Sequence, residues 1–143
     1  MEEGQFADSR RKKKLIAVVL LSYDPWSKIF KCSDCSTEKH ARGCTSNRRE
    51  VVQIPCICNG QRGCDICHGR GTISYKRCPS SYPRERWIYE LLPYYYRYRA
   101  TNEYPDRRGR LYQSVLMVEA FELMSLISSK KEMDQLEKSH GRK

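Results

Sequence analysis

Core-forming side chains are scarce in this chain of 143 residues, because apolar residues make up only 39% and mean hydropathy is −0.77. Charged residues make up a further 31%. A small chain with so little apolar material usually needs a staple, either disulfides or a bound metal. The composition therefore predicts one compact unit, or two very small ones, held together by an added cross-link.

Cysteine is missing from both ends of the chain, since residues 1–31 and 79–143 contain none. Any cross-link is therefore local, and the chain beyond residue 79 must fold by ordinary packing or by docking onto a partner. The 8 cysteines are Cys32, Cys35, Cys44, Cys56, Cys58, Cys64, Cys67 and Cys78.

Long apolar runs are also missing. The run Leu15–Leu21 follows the basic stretch Arg10–Lys14 and imitates a secretory signal, but no small-residue cleavage site comes after it. It is too short to span a bilayer. We therefore expect a buried strand or helix here, in an intracellular protein whose thiols stay reduced and bind metal.

Signatures of enzymes are absent as well. The sequence has no HExxH helix, nucleophile elbow or phosphate-binding loop. A zinc deaminase needs His-x-Glu with Pro-Cys-x-x-Cys, whereas Pro55–Cys58 reads Pro-Cys-x-Cys and His40 lacks the glutamate. We expect no enzymatic activity.

Two Cys-x-x-Cys pairs, Cys32–Cys35 and Cys64–Cys67, have the spacing at which a turn places two thiolates on one tetrahedral zinc ion. Gly69 follows the second pair and allows a tight turn that points N–H groups at sulfur. We expect two structural zinc ions with no position open for water. The all-cysteine division assigns Cys56, Cys58, Cys64 and Cys67 to one ion, and Cys32, Cys35, Cys44 and Cys78 to the other.

His40 leaves an alternative open. Its spacing from the neighbouring cysteines falls one residue short of the retroviral zinc knuckle, Cys-x2-Cys-x4-His-x4-Cys. If His40 is a ligand, Cys78 pairs with the later cysteines. The all-cysteine division is favoured because eight thiolates complete two sites without remainder.

Positive charge is in excess, with a formal net charge of +10 at pH 7. Eight thiolates and two zinc ions would lower it to about +6. Such a balance is typical of nucleic-acid binding, and the tract Tyr94–Arg99 is a candidate surface for stacking bases. The candidate phosphate contacts are Arg10, Arg11, Lys12, Lys13, Lys14, Arg42, Arg48, Arg49, Arg62, Arg70, Lys76 and Arg77.

The expected fold is a small, metal-stapled α+β protein, in which a cysteine-rich module of short hairpins and knuckles precedes two C-terminal helices. We expect a basic flexible arm over 1–14, an apolar strand or helix over 15–31, the zinc-binding module over 32–80 and a helical region over 81–138. Pro93 is expected to interrupt the first of the C-terminal helices.

From residue 111 onward, apolar residues recur with a helical period and form a wide stripe. Such a stripe either docks a protein partner or covers the cysteine module and the apolar run near the N-terminus. Its members are Leu116, Met117, Ala120, Phe121, Leu123, Met124 and Ile127.

The stretch Cys58–Gly71 resembles the CxxCxGxG zinc repeats of DnaJ-type co-chaperones, although the His-Pro-Asp signature of the J-domain is absent. Lambdoid antitermination proteins have similar knuckles. That likeness implies the alternative function, a basic zinc-finger protein that binds nucleic acid as a transcription regulator or antiterminator.

Residues 56–128 more closely resemble small zinc-motif proteins of tailed bacteriophages and prophages, which have Arg-Cys-Pro, a Trp/Leu-rich helix and a glycine loop before a last helix. Arg77–Pro79, Trp87–Leu92 and Arg108–Ser114 stand at those places, with Tyr112 and Arg108 departing from the pattern. The resemblance implies a non-enzymatic adaptor or accessory protein in virion assembly or host interaction. It would act through protein contacts, in the bacterial cytoplasm or with the virion.

Overall fold

The computed structural model describes residues 9–35, 42–44, 52–58, 61–109 and 113–141, although not the side chain of Leu116. These residues form a small α+β fold with its sheet in the cysteine region and two helices after it, as predicted. Short 3-10 turns lie at Cys32–Asp34 and Pro79–Arg84. The longer elements are α1 (Ser9–Leu20), α2 (Trp26–Ile29), β1 (Val52–Pro55), β2 (Thr72–Tyr75), α3 (Arg86–Thr101) and α4 (Val115–His140).

The sheet is a single antiparallel pair in which Ile54 of β1 lies opposite Ile73 of β2. Both isoleucines are buried, and their neighbours along each strand are more exposed, as expected for strands with one face on the core. The N–H of Cys56 donates to the carbonyl of Gly71 at 2.8 Å and so extends the pairing beyond β1. The residues between the strands are thereby held as a closed loop.

Helix α1 lies at the centre of the core. Every side chain from Leu15 to Leu20 is buried, and α1 packs mainly against α4. A helix segment that is apolar on all sides needs neighbours on all sides, and α3 supplies Ile88 and Tyr95. Neither α1 nor any other helix among the described residues has the length and apolar content to cross a membrane.

The flexible arm expected over 1–14 is wrong for residues 9–14, because these form the first turns of α1. Lys12 pairs with Asp65 at 2.7 Å, and Lys14 pairs with Glu85 at 2.8 Å. The basic residues that suggested a solvated tail thus attach α1 to the cysteine loop and to the start of α3. The rest of the predicted arm lies outside the described residues.

Glu85 joins three segments of the chain. Its carboxylate accepts hydrogen bonds from Lys14 of α1, from Arg77 after β2 and from the indole N–H of Trp87 on α3. Burial raises the pKa of Glu85, but these hydrogen bonds and charges outweigh burial and hold the pKa below its ordinary value. The ionised carboxylate therefore stabilises this junction at neutral pH.

The stripe on α4 is part of the protein's own core. Ala120, Phe121, Met124 and Ile127 are buried, and the side chains of Met117 and Leu123 pack partly buried against the same core. Of the two alternatives for the stripe, the protein's own core is the one observed for the four buried residues, and the prediction that these four bind a partner is wrong because α1 and α3 cover them. The side chain of Leu116 lies outside what the structure describes.

Helix α3 continues through Pro93, contrary to the expected interruption. Proline removes one N–H from the helix. The loss is tolerated because Pro93 lies on the exposed side, whereas Ile88 and Tyr95 hold the opposite side against the core. The hydroxyl of Tyr95 also makes a 2.9 Å hydrogen bond with Ser128 of α4.

Replacing Phe121 with alanine should lower the free energy of unfolding by about 3–5 kcal/mol, since a fully buried ring is removed from a packed core. The rings of Tyr95, Tyr98 and Tyr104 lie 5.2–6.0 Å from its centroid and would lose this neighbour. Urea unfolding measures the change. The control is Leu126→Ala on the same helix, which is 58% exposed and should change stability by at most about 0.5 kcal/mol. Equal effects of the two variants would refute the placement of α4.

Candidate metal centre

The loop between β1 and β2 brings four cysteine sulfurs together. The Sγ atoms of Cys56, Cys58, Cys64 and Cys67 all lie within 4.8 Å of one another. The Cys56–Cys64 distance is 3.8 Å and the Cys58–Cys67 distance is 3.3 Å. These are too long for disulfide bonds of about 2.05 Å. Four sulfurs at about 2.3 Å from a tetrahedral zinc ion lie about 3.8 Å apart, so this group could hold a metal such as zinc.

The turns that form this group follow from short hydrogen bonds and glycines. The N–H of His68 donates to the carbonyl of Cys64 at 2.9 Å, and that of Arg70 donates to Cys67 at 3.1 Å. Gly69 and Gly71 have φ values of +80° and +75°, a region that L residues rarely adopt. The predicted tight turn after the second cysteine pair is therefore present.

Burial and hydrogen bonding shift the pKa values of two of the thiols in opposite directions. Burial raises the pKa of Cys56 to about 12. Burial also acts to raise the pKa of Cys67, but hydrogen bonds from the Cys58 thiol and the Gly71 N–H outweigh it and lower this pKa to about 6. In the metal-free cluster, Cys56 therefore keeps a proton that a bound metal would displace, because metal ligands must be thiolates.

The four-cysteine group is built into the core. Cys56 and Cys67 are 5% and 2% exposed and belong to the same buried cluster as Ile66 and helix α1. The ammonium of Lys130 on α4 donates to the carbonyl of Ile57 at 3.3 Å. A metal held here would cross-link the loop at a point where two helices are already attached.

The second predicted set of metal ligands is not brought together as the first is. This set comprises Cys32, Cys35, Cys44 and Cys78. Among the described residues, no other group of three or more candidate ligands comes as close as the first. Cys32 is exposed and Cys78 is buried, while Cys35 and Cys44 are intermediate. His40, the alternative ligand, lies outside the described residues.

The segments that contain this second set nevertheless lie side by side. The N–H of Cys78 donates to the carbonyl of Gly43 at 3.2 Å, next to Cys44. The guanidinium of Arg42 donates to the carbonyl of Ile29 at 2.8 Å and to that of Asp34, between Cys32 and Cys35, at 3.3 Å. Three stretches far apart in the sequence are thus joined at one place.

Several of the predicted phosphate contacts have partners inside the protein. Lys12 and Lys14 pair with carboxylates, and Arg42 and Arg77 donate to backbone carbonyls. A group that neutralises phosphate must give up such a partner, so these four are poor candidates. Lys13 is half-buried, Arg48 and Arg49 lie outside the described residues, and the exposed candidates are Arg10, Arg11, Arg62, Arg70 and Lys76.

One exposed feature extends beyond the predicted tyrosine–arginine tract. Tyr89, one turn before Pro93, is 70% exposed and lies on the same side of α3 as Tyr96. The sequence contains this signal, because residues seven apart share a helix face. The expected break at Pro93 separated the two tyrosines and hid the pattern.

Replacing Cys67 with serine should abolish zinc binding at this centre, because a neutral hydroxyl cannot replace a thiolate. The loss should exceed the stability of most small domains, since structural zinc contributes about 10–16 kcal/mol apparent. Elemental analysis and thermal circular dichroism measure both effects. Asp65→Asn, within the same Cys-x-x-Cys, is the control and should keep its zinc. Undiminished zinc and an unchanged melt in Cys67→Ser would contradict the assignment.

Comparisons with protein families, curated proteins and solved structures return no match to this chain. The likeness to phage zinc-motif proteins therefore depends on its motifs alone.

Proposed function

We propose that this chain is a non-enzymatic zinc-binding protein in which the metal is structural, and that it acts as an adaptor or accessory protein through protein–protein contacts. The observation that carries the proposal is the four-cysteine group, two of whose members, Cys56 and Cys67, belong to the buried core. Four thiolates complete the tetrahedral shell of zinc and leave no position at which water could be activated. The metal then cross-links a loop that has little apolar material of its own.

We further propose that a second zinc ion binds Cys32, Cys35, Cys44 and Cys78. The hydrogen bonds that bring their segments side by side support this assignment. Cys32 is exposed, and its sulfur lies 3.4 Å from the guanidinium of Arg84. A bound metal ion would give a role to a cysteine in this position.

The proposed adaptor role needs a surface other than the buried stripe of α4. Helix α4 offers Leu126 near its middle and Met133 and Leu136 in its C-terminal half, which are each more than half exposed. The motif resemblance supports a bacteriophage origin, with action in assembly or host interaction. On this proposal the protein is found in the cytoplasm of the host cell or with the virion.

Nucleic-acid binding is the second candidate, as expected of a basic zinc-finger regulator or antiterminator. It retains the net charge of +10 in its favour, although several of the predicted contacts already have partners. The exposed tyrosines of α3 are the observation that favours it.

Native mass spectrometry tests the zinc proposal by counting ions in the intact chain. We expect two zinc ions in the unmodified protein and one in Cys32→Ser, which leaves the four-cysteine group intact. Removing zinc with a chelator should abolish the cooperative thermal melt seen by circular dichroism, because the loop loses its cross-link.

Two results would overturn the proposal at different levels. One ion in the unmodified protein, retained in Cys32→Ser, would remove the second site but keep the first. An unchanged melt after complete zinc removal would show that the metal does not support the fold.

A further inference from the structure

Helix α3 presents an exposed face that the core does not use. Tyr89, Pro93 and Tyr96 stand at positions i, i+4 and i+7, which places them on one side of a helix, and Arg97 lies beside them. The two tyrosines are 70% and 55% exposed. We call these four residues the tyrosine face. Its rings are separated by about 10 Å along the helix axis.

The helix that carries the tyrosine face is held in place by contacts with α4. On the opposite side of α3, Ile88 and Tyr95 are buried, and Tyr95 is bonded to Ser128 of α4 at 2.9 Å. Near the C-terminal end of the helix, Arg99 pairs with Glu132 of α4 at 3.0 Å. The exposed rings are therefore presented by a fixed helix, which lowers the entropy lost on binding.

Charge decides which class of partner fits this face. Tyrosine and arginine suit protein interfaces as well as nucleic acids. However, the one acidic residue of α3, Glu90, is paired with Arg86 at 2.9 Å, while Arg97 is exposed on the tyrosine face. The whole chain has a net charge of +10 and would remain near +6 with two zinc ions bound to eight thiolates. A polyanion is favoured over an apolar or basic protein surface.

The exposed tyrosine rings favour single-stranded over double-stranded nucleic acid as the polyanion. Exposed aromatic side chains stack on unpaired bases, whereas the bases of a duplex already stack on one another. We propose that the tyrosine face of α3 binds single-stranded nucleic acid, with Tyr89 and Tyr96 stacking on bases and Arg97 contacting phosphate. This proposal deepens the second candidate function and does not depend on the number of zinc ions.

Fluorescence anisotropy with labelled oligo-dT and oligo-rU tests the proposal on the zinc-loaded full chain. We expect binding that weakens from about 50 to 200 mM salt, as phosphate contacts require. Tyr89→Ala and Tyr96→Ala should each weaken binding by about 5- to 100-fold. Tyr96→Phe should retain affinity, because the ring still stacks.

Tyr94→Ala is the matched control, since Tyr94 is on the same helix and 50% exposed but lies off the tyrosine face. It should change affinity by less than about twofold. Zinc content and melting temperature are measured for every variant, so that failure of the zinc proposal is distinguished from failure of this one.

Three outcomes would overturn the inference. The first is no binding of either oligonucleotide at low salt. The second is an equal loss in Tyr94→Ala, or equal binding of duplex DNA, which would indicate charge attraction without stacking. The third is that alanine at Tyr89 or Tyr96 changes the self-association of the chain but not oligonucleotide binding, which would make this face a protein interface.

Discussion

The attraction of four clustered cysteine sulfurs for one metal ion is, on our proposal, what holds the loop between β1 and β2 in the core. The loop that contains Cys56, Cys58, Cys64 and Cys67 is rich in turns and has Ile66 as one of its few buried apolar side chains. Without an ion, burial keeps the Cys56 thiol protonated, and the sulfurs are linked only by weak hydrogen bonds. On the same proposal, a bound ion fixes the loop at the points where the helices contact it.

Helices α1 and α4 each contact the cysteine loop through a lysine. Helix α1 is buried along its apolar half, and its basic half reaches the loop through the Lys12–Asp65 pair. Helix α4 covers α1 and reaches the same loop through Lys130. Because few apolar residues are available, nearly all of the strongly hydrophobic segments are used inside. Among the described residues, the surfaces left for partners include the aromatic and basic face of α3 and the exposed Leu126, Met133 and Leu136 of α4.

Local chemistry could be predicted from the sequence, while long-range pairing could not. The spacing of Cys64 and Cys67 and the glycines that follow them predicted a tight turn able to place two thiols on one metal ion. This prediction was possible because the geometry of such a turn is set within a few residues. The apolar stripe on α4 predicted burial but not its neighbour, since hydrophobic attraction has no direction. The partners of Lys12 and Lys14 are 53 and 71 residues away, so a local charge run looked like a solvated arm. The missing N–H of Pro93 predicted a break in the helix. The helix continues because Ile88 and Tyr95 pack against the core on its opposite side.

X-ray absorption at the zinc edge identifies the atoms that bind the metal in the four-cysteine group. Measured on Cys32→Ser, so that the second site does not contribute a full set of ligands, the spectrum should show four sulfur neighbours at about 2.3 Å and no nitrogen or oxygen. A nitrogen or oxygen atom in the first shell would mean an open or mixed site. Absence of zinc from freshly isolated protein would contradict the account altogether.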